Sequence, residues 1–141
     1  MQFAQQMIFS ATTATTGDTS QRFGFYIGPS AANASDGDTV DIQFVVAAGT
    51  YTFTVNGVSM NACGKTDGYV DGATSTSWTG DDWYSVLLKN NVSVSHSVTF
   101  TTGGRHTIRL KVNGKNASSS DYRVLLTNAR LVPTSYSVEA D

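Results

Sequence analysis

The chain has 141 residues, a net charge of -2 and only 14% charged residues, against roughly 25% in an average soluble domain. That length suits one domain with its own core, and the near-neutral balance argues against general nucleic-acid binding, which needs a cationic surface. A single cysteine, Cys63, excludes an internal disulfide, and no segment approaches the roughly 20 apolar residues that span a bilayer.

Residues 1 to 20 are rich in Gln, Ala and Thr and carry Met7, Ile8 and Phe9 with little periodicity. They read as an N-terminal arm packed on a neighbouring subunit, or as an edge strand running into a loop. Met1 to Ser10 lacks a basic stretch followed by an apolar one, so no secretory leader is expected. The sequons at Asn33, Asn91 and Asn116 then read as chance products of an Asn- and Ser-rich chain.

Residues 21 to 141 read as one domain. Arg22 to Ile27 form a short aromatic strand ended by Gly28-Pro29, and residues 30 to 38 are turn formers. From Val40 the alternation is clear: Val40, Ile42, Phe44 and Val46 on one face, Thr39, Asp41 and Gln43 on the other. Side chains of a strand point to opposite faces with period 2, so one face is buried and one is wet. After Ala48-Gly49, Tyr51, Phe53 and Val55 point inward, and Asn56-Gly57 reads as the turn that closes this strand.

Tyr69 to Asp71 and Trp83 to Leu88 predict shorter strands around a Gly/Ser/Thr-rich loop. Three more runs follow, with Val94, His96, Val98 and Phe100, then His106, Ile108, Leu110 and Val112, then Tyr122, Val124 and Leu126 sharing a parity. One-sided alternation marks antiparallel sheets, since parallel strands read as unbroken apolar runs. The expected fold is all-β with little or no helix, an antiparallel two-sheet jelly-roll sandwich of about eight or nine strands. At Thr102-Gly103-Gly104 a three-residue hairpin loop, with Gly104 in the left-handed region, would pair Phe100 with His106 and align both apolar faces.

No catalytic residue is identified. In that hairpin register both His96 and His106 lie on apolar faces without a neighbouring carboxylate, and zinc needs three or four converging ligands. Asp67, Asp71, Asp81 and Asp82 form the densest acidic group, but without EF-hand spacing. No metal or cofactor is expected. Tyr69, Trp78, Trp83 and Tyr84 gather the aromatics around the loop from Gly72 to Asp82, either as core or as a contact surface. Trp78, mid-loop, is the expected exposed ring. Arg105, Arg109 and Lys111 share the outward parity of their strand, as a docking stripe or as a solvated face that discourages edge pairing.

The run Gly104-Arg105-His106-Thr107-Ile108-Arg109-Leu110-Lys111-Val112-Asn113-Gly114-Lys115-Asn116, with Ser118-Ser119-Ser120-Asp121-Tyr122, resembles a jelly-roll, carbohydrate-binding-module-like domain of phage structural proteins. Ala48 to Phe53, Tyr69 to Gly72 and Asp82 to Ser85 are similar to the rest of that pattern, which spans roughly residues 38 to 132. The resemblance implies a non-enzymatic virion protein, acting as a surface decoration or as a binding tip.

The leading expectation is therefore a phage capsid decoration or cement protein on the virion surface, a homotrimer whose partners are the major capsid protein and its own copies. A chain that starts at Met1 and reads as complete leaves no shaft for a free-standing fibre. The expected docking residues are Gln2, Phe3, Met7, Ile8 and Phe9 of the arm, helped by Arg105, Arg109 and Lys111. The alternative is a receptor- or glycan-binding module of a tail fibre or spike. It would use Tyr69, Trp78 and Trp83 for stacking, and Asp81, Asp82 or Asn91 for hydrogen bonds to surface glycans. A hydrolase built on paired carboxylates ranks behind both.

Overall fold

A computed structural model describes residues 6–10, 14–16, 25–28 and 34–134. Among the described residues ten strands follow one another: β1 (Gln6–Ser10), β2 (Ala14–Thr16), β3 (Phe25–Ile27), β4 (Thr39–Val46), β5 (Gly49–Ser59), β6 (Gly64–Val70), β7 (Trp78–Asp82), β8 (Lys89–Phe100), β9 (Gly104–Lys115) and β10 (Leu125–Pro133). They form two five-stranded sheets with the orders β1-β4-β9-β6-β7 and β2-β3-β10-β5-β8. Every ladder between these strands is antiparallel, and no helix occurs among the described residues. This is the two-sheet jelly-roll sandwich expected from the alternation.

The core lies between the sheets. Val40, Ile42, Phe44 and Val46 of β4 and Ile108, Leu110 and Val112 of β9 face Tyr51, Phe53 and Val55 of β5 and Ala129 and Leu131 of β10. Phe44 and Phe53 meet edge to face across the gap, with centroids 6.1 Å apart, a favoured aromatic arrangement. β1 is an outer strand of its sheet and pairs with β4 of the same chain, Met7 opposite Phe44 and Phe9 opposite Ile42.

Four local expectations are corrected. The segments joined by Thr102–Gly104 are no hairpin: β8 pairs with β5 and β9 with β4 and β6, so the connection crosses from one sheet to the other. Phe100 and His106 do meet, but as stacked rings across the core and not as ladder partners. Gly104 has positive φ, 121°, at a crossover instead of a hairpin end.

Asn56-Gly57 does not end its strand either. β5 runs on to Ser59, with Asn56 opposite Ser93 and Gly57 opposite Val92. Glycine is required there by proximity, since a Cβ would meet the Leu125 carbonyl oxygen at 2.6 Å and the Trp83 ring at 3.0 Å. The predicted strand at Trp83 to Leu88 is displaced to β7, before Trp83, and Val86 and Leu87 are exposed. The last strand starts at Leu125. A register shift between Leu126 and Asn128 moves the inward parity onto Ala129 and Leu131.

Candidate functional site

The outer face of the first sheet carries an open groove of about 890 Å3. Its floor follows from strand pairing. Because even positions of β9 enter the core, odd positions point out, and register puts Arg109 between Asp41 of β4 and Tyr69 of β6. One rung along, Lys111 sits between Thr39 and Asp67. The turn Asp71-Gly72-Ala73-Thr74 forms a wall, and Arg105 and Thr107 complete the lining on the β9 side.

The three cations of β9 differ in how far they are neutralised. Arg109 is clamped by Asp41, Nε to Oδ1 at 2.6 Å and Nη2 to Oδ2 at 3.0 Å. That side-chain hydrogen bond raises the guanidinium pKa above its ordinary value. Arg105 donates to the neutral Gln43 Oε1 at 2.9 Å and has no ion pair among the described residues. Lys111 has no ion pair among the described residues. The groove therefore offers an aromatic ring, two cations without an ion pair among the described residues, and one guanidinium fixed in place.

The wall is fastened by its own carboxylate. Asp71, with a left-handed φ of 52°, accepts from the Thr107 amide through Oδ1 at 2.9 Å and bonds His106 Nδ1 through Oδ2 at 2.7 Å. The Asp71 amide in turn donates to Thr107 O at 2.7 Å. His106 thus has the neighbouring carboxylate that the hairpin register denied it. His96 has one as well, because β7 lies across from β8: its Nε2 is 2.7 Å from Asp81 Oδ2. Both contacts join different strands or turns, which local alternation does not encode.

Tyr69 is the one predicted stacking residue that lines the groove. Trp78, expected to be exposed, is buried. Its ring lies against Phe53 at 5.6 Å and His96 at 4.4 Å, in the space left by Gly68. Trp83 is 1% exposed and donates Nε1–H to Thr66 Oγ1. Neither indole offers a free face. Asp82 is taken up by the Tyr84 amide and Asn116, and Asn91 accepts from Asn56 Nδ2. Arg105, Arg109 and Lys111 do share one surface, and Tyr69 lies on it with them. The side chains of Met7, Ile8 and Phe9 and the whole of Gln2 and Phe3 lie outside the described residues.

The four aspartates of the acidic group are each engaged separately, Asp67 by the Gly80 amide and Asn113. Among the described residues no three His, Cys, Asp or Glu side chains converge.

No protein-family model matches the chain, and no curated protein matches it. Solved structures do. A Paenibacillus xanthan lyase matches with a TM-score of 0.68 and 24% identity over 90% of this chain, which spans only 12% of that lyase. A carbohydrate-binding module of family 36, in complex with calcium and xylotriose, gives 0.53 and 14% over 93% of this chain and 99% of the module. A family 35 module from Paenibacillus barcinonensis gives 0.51 and 12% over 94% and 93%. Nothing in these likenesses points to a phage structural protein, a capsid partner or a trimer. At such identities the likeness is one of fold, and the fold is that of a carbohydrate-binding-module-like jelly roll.

Proposed function

We propose that this chain is a non-catalytic glycan-binding module, and that it takes a carboxylate-bearing polysaccharide along the groove over β4, β9 and β6. The observation that carries this reading is the row Tyr69–Arg109–Asp41, flanked by Arg105 and Lys111. Sugar rings present C–H faces that pack on aromatic rings, and their hydroxyls suit a fixed guanidinium–carboxylate pair as donor and acceptor. Arg105 and Lys111 have charge to spare for a sugar carboxylate. The reading draws support from the neighbours matched over nearly their whole length, which are carbohydrate-binding modules, one holding xylotriose. It is the glycan-binding part of the alternative named from the sequence, with Tyr69 kept and Asp41, Arg105, Arg109 and Lys111 in place of Trp78, Trp83, Asp81, Asp82 and Asn91.

The test is calorimetry with xylotriose and with the same oligosaccharide bearing a glucuronate branch. The acidic sugar is expected to bind more tightly, and Tyr69→Ala to weaken it about ten-fold, the worth of one aromatic contact. Arg105→Gln with Lys111→Gln is expected to erase the preference for the acidic sugar. Failure of both sugars to bind, or binding indifferent to Tyr69→Ala, overturns the groove as the site.

A further inference from the structure

We propose that Arg105 is the specificity-determining residue of the groove: it grips the sugar carboxylate on the β4 side of β9, while Tyr69, on the β6 side, takes the ring of a neighbouring sugar unit. This assignment rests on the glycan reading above and divides the ligand between two residues of that site.

The three cations of β9 are not equally able to take a new anion. Arg109 has Nε and Nη2 committed to the two oxygens of Asp41, so a second carboxylate would have to displace the first. Lys111 is half-buried, and its ladder partner on β6 is Asp67, a carboxylate only 3% exposed. The Asp67 oxygens receive N–H bonds from the Gly80 amide and the Asn113 side chain. Both donors are neutral, so the negative charge of Asp67 acts across the rung on Lys111 without touching it. Lys111 is also a point charge that lacks the planar fork of a guanidinium.

Arg105 carries neither handicap. It is exposed, and its ladder partner on β4 is the uncharged Val45. The ladder between β6 and β9 stops at Ile108 and brings no carboxylate opposite Arg105. Its Nη1 donates to Gln43 Oε1 at 2.9 Å, and no ion pair takes up the rest of the fork among the described residues. A guanidinium has five N–H donors and meets a carboxylate through two parallel bonds. Arg105 can therefore hold a sugar carboxylate bidentately while Gln43 keeps its head in place.

Register fixes where that carboxylate lies. Gln43 stands on β4 opposite Thr107, so the head of Arg105 leans to the β4 side and toward the middle of the groove. Asp71, the carboxylate that would repel an acidic sugar, is on the other side of β9, tied to the Thr107 amide and to His106. Tyr69 is on that side too, opposite Arg109. Arg105 and Arg109 are four residues apart, about 13 Å along a strand, and the lean toward Gln43 shortens this to no less than about 7 Å. The sideways step from the β4 side to the β6 side adds to that separation. The distance exceeds the reach of a pyranose carboxylate from its own ring, so the acid on Arg105 and the ring on Tyr69 belong to different units.

The experiment is calorimetry with xylotriose and its glucuronate-branched form, read as the ratio of acidic to neutral affinity. Arg105→Gln is expected to lower that ratio about ten-fold, the scale of a charge-assisted bidentate contact, and Lys111→Gln to keep it well above one. Tyr69→Ala is expected to weaken both sugars and preserve the ratio, since it meets a different unit. In parallel, 15N NMR of the wild-type arginine side chains follows added sodium glucuronate, with Arg105 Nε expected to shift and Arg109 Nε to stay. A ratio that survives Arg105→Gln, or that collapses with Lys111→Gln or with Tyr69→Ala, overturns the assignment. If neither trisaccharide binds while glucuronate still shifts Arg105, the carboxylate subsite stands and the glycan reading of the groove falls. If neither trisaccharide binds and Arg105 does not respond to glucuronate, both fall.

Discussion

Phe100 and His106 stack face to face at 4.1 Å although they belong to opposite sheets, β8 in one and β9 in the other. Six residues of chain separation thus span the thickness of the sandwich. Phe100 is 3% exposed and is also packed on Tyr51, 5.8 Å away. Phe100→Ala is expected to cost about 3–5 kcal/mol, because the cavity would open beneath a ring that cannot follow it. A chemical-denaturation midpoint within error of wild type would contradict that packing.

Phe53 is the deepest ring of β5. It is fully buried and touches Phe44 from one sheet position and Trp78 from another. Phe53→Ala removes contacts on both sides at once and is expected to cost about 3–5 kcal/mol, whereas Phe53→Leu, which keeps most of the volume, is expected to cost under about 1.5 kcal/mol. Equal midpoints for the two variants would place the ring elsewhere.

Gly68 and Trp78 are ladder partners, and the indole occupies the volume a side chain at Gly68 would need. A Cβ there would lie 2.0 Å from Trp78 Cε2. The indole is held by Phe53 and His96 and has no room to retreat. Gly68→Ala is therefore expected to destabilise by at least about 2 kcal/mol, through overpacking. Trp78 Nε1 is buried with no hydrogen-bond partner among the described residues, so Trp78→Phe is expected to be milder than Trp78→Ala, losing volume but also an unsatisfied donor. Thermal melts of the three variants, with near-ultraviolet circular dichroism to report the indole environment, check the order.

What the sequence made legible was the face of each residue, and what it hid was the partner. The parity of Val40 to Val46 and of His106 to Val112 is a local property of an extended chain. It put these residues on the core side before any pairing was known. The outward set Arg105, Arg109 and Lys111 was legible for the same reason. That Tyr69 joins them depends on β6 lying beside β9, a relation set by the whole topology. Asp71 and His106 are 35 residues apart, and Asp81 and His96 are 15 apart, so neither bond leaves a trace in periodicity. Trp78 carried one overlooked signal: a glycine inside a strand, Gly68, marks a place where something bulky comes close. Asn56-Gly57 misled in the opposite sense. Its glycine answers the crowding of Leu125 and Trp83 rather than a turn.

Cys63 gives the clearest dependence on pH. It is fully buried, with its thiol donating to Val58 O, and burial pushes its pKa up from 9.0 to about 11. The Met60 backbone bond and Arg123 oppose that rise, and Asp82 and Asp121 add smaller contributions to it. The folded state therefore favours the neutral thiol. Stability from this source is fully present below the unfolded pKa and disappears as pH climbs through the folded one. In that window the unfolded chain has released a proton that the folded chain still holds, so unfolding gains with pH. Two units correspond to at most about 3 kcal/mol. Urea unfolding from about pH 8 to about pH 11 is expected to show a steeper loss for wild type than for Cys63→Ala, the difference isolating this one group from other titrating side chains. In the folded protein at about pH 8 the thiol is expected to resist a disulfide reagent that labels it at once in denaturant. Prompt labelling without denaturant, or parallel pH profiles for the two proteins, would show that Cys63 is open to water.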